Sequence, residues 1–193
     1  MHPELNQIQP AFDVLFTNLH DGLQTTGTVH SATLLHRIAV ESKSFPKLKG
    51  RLHELTPELV NNTDCWVEHK REDGSTFILT QVRKGKKTYP TLNFMLPTQI
   101  SPIFFASLSS HDGNAENVLA LLQAGASPDT SARFANGHLV APIHNAAWHS
   151  SPDCAQALID AGANIIGMDY DSFGDKMNPE VAQMIKGRFD DFS

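Results

Sequence analysis

The sequence predicts an all-α fold, a short solenoid of about four stacked helical repeats with a capping helix at each end. Three observations predict it. Residues 141–163 read as a short helix, a polar turn at 149–153, a second short helix and a glycine stop. Residues 101–126 repeat that pattern. Neither helix of such a pair is long enough to be stable alone in water, so each pair needs neighbours to bury its apolar face.

The elements follow from local chemistry. Pro142 suits the first turn of a helix, where its missing N–H would have no intrahelical partner. Gly162 suits the left-handed position that ends a helix. Ser101-Pro102-Ile103-Phe104 takes the slots of Ala141-Pro142-Ile143-His144, and residues 118–126 parallel residues 155–163. Asn178-Pro179 is a helix start, with an N-cap residue followed by Pro at the first helical position. Val181, Met184, Ile185 and Phe189 give that terminal helix an apolar stripe. At the other end, Leu5, Ile8, Phe12, Leu15, Phe16 and Leu19 recur at three- and four-residue steps, which predicts an amphipathic helix within residues 1–29.

A helical pair of about 33 residues opened by T-P-L-H-x-A characterises the ankyrin repeat. With Ala141-Pro142-Ile143-His144-Asn145-Ala146, Ser101-Pro102-Ile103-Phe104-Phe105-Ala106 and the closing Leu121-Leu122-Gln123-Ala124-Gly125-Ala126, the chain resembles that family. Thr33-Leu34-Leu35-His36 is a third opening, with Leu in place of Pro. The resemblance covers residues 30–189, is densest over 101–164, and divides the chain at 33–72, 73–97, 98–137 and 138–174 with a terminal helix at 178–189. It implies that His36 and His144 bond neighbouring backbone and tie adjacent loops together. Segment 64–82 admits a second reading. Cys65-Trp66-Val67-Glu68-His69-Lys70-Arg71 and residues 76–82 also form a hairpin pattern joined by Glu72-Asp73-Gly74-Ser75.

Composition narrows the function. Residues 1–87 carry net +1 and residues 88–193 net −7, making the −6 of the chain, which argues against broad nucleic-acid binding and for a polarised surface facing a partner. Two cysteines do not make a disulfide framework and point to a reducing compartment, with Cys154 a small buried residue on a helix. Met1-His2-Pro3-Glu4 lacks the start of a Sec-type signal peptide, and no apolar run is long enough to span a membrane. The expected setting is cytoplasmic, including delivery to a host cell by a non-Sec route.

Motifs for chemistry are sparse. His144 and His149 are too far apart for a close-spaced zinc pair, and neither cysteine has a second one nearby. Residues 169–180 imitate a calcium loop but place Phe173 where an oxygen ligand is needed. Ser44-Phe45-Pro46-Lys47 matches S-x-x-K without its companion motifs. Lys84-Gly85-Lys86-Lys87 reads as a solvated basic turn between helices. No cofactor, metal or catalytic residue is expected. An enzyme with its site in 56–100 is the alternative of another class.

The resemblance implies a non-enzymatic module that binds another protein through a concave face of first helices and loop tips. Carried onto this sequence, the contact positions are Arg83, Lys84, Phe105, Leu108, Asn145, Trp148 and His149 on helices, and Arg133, Phe134, His138 and Tyr170 on loops. Trp148 leads the set, because tryptophan is enriched among binding hot spots. Divergent small members of the family include bacterial effectors delivered into host cells and inhibitors or regulators of partner enzymes, an analogy at the level of fold alone.

Overall fold

The computed structural model describes residues 4–17, 24–40, 48, 50–69, 82–84, 87–89, 97–108, 114–134, 139–149, 152–166 and 178–190. The fold is mixed α/β, which corrects the all-α expectation. Strands β1 (Phe12–Thr17), β2 (Gln24–His30), β3 (Cys65–His69), β6 (Pro97–Ile100), β7 (Ala132–Phe134) and β8 (Leu139–Val140) form one six-stranded sheet in the order β1-β2-β3-β6-β7-β8. Every neighbouring pair is antiparallel. Between β3 and β6, β4 (Val82–Lys84) and β5 (Lys87–Tyr89) make a separate two-stranded sheet.

Two helical expectations fail here. The predicted N-terminal capping helix is a strand hairpin, with Phe12 paired to Val29 and Thr17 to Gln24. Its residues are aromatic and β-branched, and its partner is rich in threonine, which suits a pleated sheet better than a helix. The supposed single apolar stripe is also broken, since Leu5 is buried while Ile8 is 61% exposed. The second failure is the repeat placed at 73–97. Arg83 and Lys84, expected on a helix, lie on β4, and Lys87–Tyr89 is β5. The two strands pair antiparallel, Val82 with Tyr89 and Lys84 with Lys87. Residues 70–81 and 90–96 lie outside the described residues. The hairpin reading of 64–82 is met in part: Cys65–His69 is a strand, but it pairs with β2 and β6.

The helices are α1 (Leu34–Val40), α2 (Pro57–Val60, after a 3-10 turn at Leu52–Glu54), α3 (Pro102–Ser107), α4 (Asn114–Gln123), α5 (Pro142–His149), α6 (Pro152–Asp160) and α7 (Pro179–Asp190). Among the described residues the chain therefore alternates strands and helices three times, with two, four and two strands in turn, and α7 closes it. Helices α1, α3 and α5 pack side by side, α4 packs on α6, and α7 rests on α5 and α6. All six residues of α3 are buried, because it is sandwiched in the middle of that row. Apolar residues on the inner face of the sheet, Val29, Val67 and Ile100, join the same core.

Helix ends follow the sequence closely. Asn178 Oδ1 accepts from the N–H of Glu180 at 2.9 Å, and Pro179 is the first residue of α7. Ser101 and Thr56 cap α3 and α2 in the same way. Gly125 and Gly162 sit at φ of +90° and +84°. After each helix the N–H groups reach back to the last turn, Ala126 to Leu121 at 2.9 Å and Ala163 to Leu158 at 2.9 Å, the pattern of a Schellman stop.

Side chains fasten one unit to the next. Asn61 donates to the carbonyl of Gly125 at 2.9 Å and accepts from the N–H of Ser127 at 2.8 Å. Asp129 accepts from the N–H of Asn164 at 2.8 Å. Asn145 donates to the Ser107 hydroxyl at 3.2 Å, joining α5 to α3. The deepest tie is His36, which is fully buried. The Thr33 N–H donates to its Nδ1 at 3.2 Å, so Nδ1 has no proton and Nε2 carries it. Nε2 donates to the carbonyls of Ile100 at 2.9 Å and Asn62 at 3.2 Å. Burial outweighs these bonds and lowers the His36 pKa to about 4. His144 takes an N–H from Ala141 on its Nδ1 at 3.2 Å, and burial lowers its pKa as well.

His36 makes the fold acid-sensitive. In the unfolded chain it titrates near 6.5 and in the folded one at about 4, so the unfolded state binds the extra proton between these values. Stability is complete above the upper value and falls as pH drops, by about 3 kcal/mol at the lower one. Urea unfolding at stepped pH checks this, and a flat profile contradicts it. Gly162→Ala costs about 1 kcal/mol in the same assay, since nothing lies within 4 Å of an added Cβ and only the left-handed backbone resists it.

Candidate functional site

One face of the sheet joins the hydrophobic core through Val29, Val67 and Ile100, and the other face carries the polar groups. Directly paired residues share a face, so the register assigns each side. Phe12, Val29 and Val67 form one inner row, and Cys65 pairs with Ile100. On the outer side His30 pairs with Trp66, Trp66 with Thr98, Thr98 with Arg133, and Arg133 with Leu139. This row crosses five strands, about 19 Å at the usual strand spacing. One step along the strands lies a second outer row, Asp13, Thr28 and Glu68.

A bulge keeps the two faces in phase. Cys65 pairs with Ile100 and the next residue, Trp66, with Thr98, so Gln99 is the extra residue. It adopts φ of +60°, an unusual value for a residue with a Cβ. Ile100 thereby stays on the buried side, where its carbonyl meets His36.

The outer rows are interconnected. The His30 ring stacks on Trp66 with centroids 4.3 Å apart and planes inclined by 15°. His30 Nε2 lies 2.9 Å from Glu68 Oε2. The Thr28 hydroxyl donates to Asp13 Oδ1 at 2.7 Å. Trp66 still keeps 41% exposure and Leu139 keeps 58%, with Arg133 exposed between their strands. An indole stacked on His30 and left partly exposed, with Glu68 on the same face, suits contact with another molecule rather than core packing.

No family model, curated protein or solved structure matches the chain.

Of the residues the sequence nominated, the structure brings Arg133 alone into these rows. Phe105 is fully buried and meets the His36 ring edge-on, with centroids 6.1 Å apart. Asn145 is 3% exposed and bonded to Ser107. Leu108 is half-buried against the core. These three are corrected from contact residues to packing residues, because the first helices lie between neighbours on both sides. Arg83 and Lys84 are on β4, apart from the main sheet. Phe134 ends β7, and Trp148 and His149 end α5; their side chains lie outside the described residues, as do His138 and Tyr170 altogether. Sequence reasoning missed His30, Trp66, Glu68 and Leu139. The available signal was the alternation Cys65-Trp66-Val67-Glu68, which puts Trp66 in the polar phase of a strand.

The thiols offer no reactive centre. Both are buried, and burial pushes the Cys65 pKa up to about 12. Among the described residues no three His, Cys, Asp or Glu side chains converge as a metal site. No helix among them is long and apolar enough to cross a membrane.

Two aromatic truncations separate core from surface. Phe105→Ala costs roughly 3–5 kcal/mol, whereas Trp66→Ala costs roughly 1 kcal/mol at most. Thermal and urea unfolding measure both, and equal losses would make Trp66 a core residue.

Proposed function

We propose that the chain is a non-enzymatic protein-binding module of ankyrin type, and that it engages another protein through the outer face of its sheet. The observation that carries this reading is the row from His30 and Trp66 to Arg133 and Leu139 on the outer face of the sheet, whose opposite face is joined to the core. The family assignment rests on the openings Thr33-Leu34-Leu35-His36, Ser101-Pro102-Ile103-Phe104 and Ala141-Pro142-Ile143-His144. It draws further support from the alternation of strand groups with helices, and from a His36 that bonds the backbone of Ile100 across the boundary between units. Two free, buried cysteines fit a reducing, cytoplasmic setting. An effector or a regulator of a partner enzyme belongs to this class of module by analogy of fold.

Affinity capture from cells with quantitative mass spectrometry tests the reading. Trp66→Ala with Arg133→Ala loses the specific partners while circular dichroism stays unchanged. Partners that survive this double variant but vanish with Trp148→Ala place the contact at the end of α5 instead.

A further inference from the structure

We propose that the site around Trp66 receives an arginine side chain from a basic segment of the partner protein, an inference that rests on the outer-face reading above. The geometry supplies what a guanidinium needs. His30 stacks on one face of the indole, which fixes its plane, and the Trp66 residue keeps 41% exposure. Guanidinium groups stack on such faces and are more weakly hydrated than ammonium groups, so they give up water more easily.

Charge points the same way. Glu68 is two residues along β3 from Trp66, on the same face, and its carboxylate is positioned by His30 at 2.9 Å. Asp13 stands beyond Thr28 in that row, with its carboxylate held by the Thr28 hydroxyl at 2.7 Å. A guanidinium over the indole therefore has the Glu68 carboxylate, already oriented by His30, on the same face two residues away. Ordering the carboxylates in advance lowers the entropy lost on binding. Arg133 sits at the far side of the row, two strands from Trp66. It repels a second cation there, so the row reads acidic-aromatic at one end and basic-apolar at the Leu139 end. That polarity fixes the direction of a bound segment: its arginine over Trp66 and an acidic or apolar residue towards Arg133 and Leu139.

Fluorescence-labelled synthetic peptides of alternating Arg and Ser, Lys and Ser, and Glu and Ser test the proposal on the intact protein. The Arg peptide binds, more tightly than the Lys peptide, and added salt weakens it. Trp66→Ala and Glu68→Gln each weaken it about tenfold, while Trp66→Phe retains part of the affinity and all variants keep the native circular dichroism. Binding of the Arg peptide that is indifferent to both variants, absence of binding, or preference for the Glu peptide overturns the proposal. The outer-face reading is judged separately: if captured cellular partners still depend on Trp66 while the Arg peptide neither binds nor competes, the surface stands and the cation chemistry falls.

Discussion

The structure depends on one imidazole in the core. His36 reaches from α1 to the turn at Asn62 and to the end of β6 at Ile100, through a single N–H held against two carbonyls. Its other nitrogen is occupied by Thr33, whose N–H and hydroxyl lie 3.2 and 2.8 Å away. These contacts join a helix of the first unit to the strand that leads into α3. Inside a packed interior such bonds are strengthened by the low dielectric, and each is costly to leave unmade. The position recurs: His144 takes its own opening N–H in the same fashion, whereas Phe104 fills the slot in the middle unit with apolar volume. The outer units hold polar fasteners there and the central one holds core.

From that fastener the outer face follows. The Ile100 side chain is buried in the core, yet Thr98 pairs with Trp66 on the other side. One inserted residue, Gln99, reconciles the two demands. The indole is then aligned across the strands with His30, and two carboxylates are fixed nearby by neighbours rather than left to rotate. On the opposite side of the sheet Val29, Val67 and Ile100 are buried in the core. A binding site on strands over a packed core holds its side chains more accurately than one on loop tips.

What could be read from the sequence was what local chemistry decides. Asn178 with Pro179, Pro142, Gly125 and Gly162 specify helix ends through backbone groups a few residues away, and each sits where its chemistry places it. The strands were less legible. Leu5, Ile8, Phe12, Leu15 and Phe16 satisfy a helical spacing by number, but the choice was made by Gln24–His30, a partner that lies beyond the window in which periodicity is judged. The candidate site divides in the same way. Arg133 was found because it stands on a connection between helical pairs. Trp66 was not, because its exposure depends on which of several strands flank β3. Phe105 and Asn145 were misplaced because a helix between two others has no open side.

Nitrogen chemical shifts of the His36 ring test the central claim most directly. Long-range proton–nitrogen correlation spectra of the labelled protein distinguish the neutral ring with the proton on Nε2 from its tautomer and from the cation. The account predicts the neutral Nε2-protonated form at pH 7 and, because the folded pKa is lowered to about 4, the same form at pH 5.5. A proton on Nδ1, or a ring that titrates near the ordinary value of 6.5 in the folded protein, would contradict it.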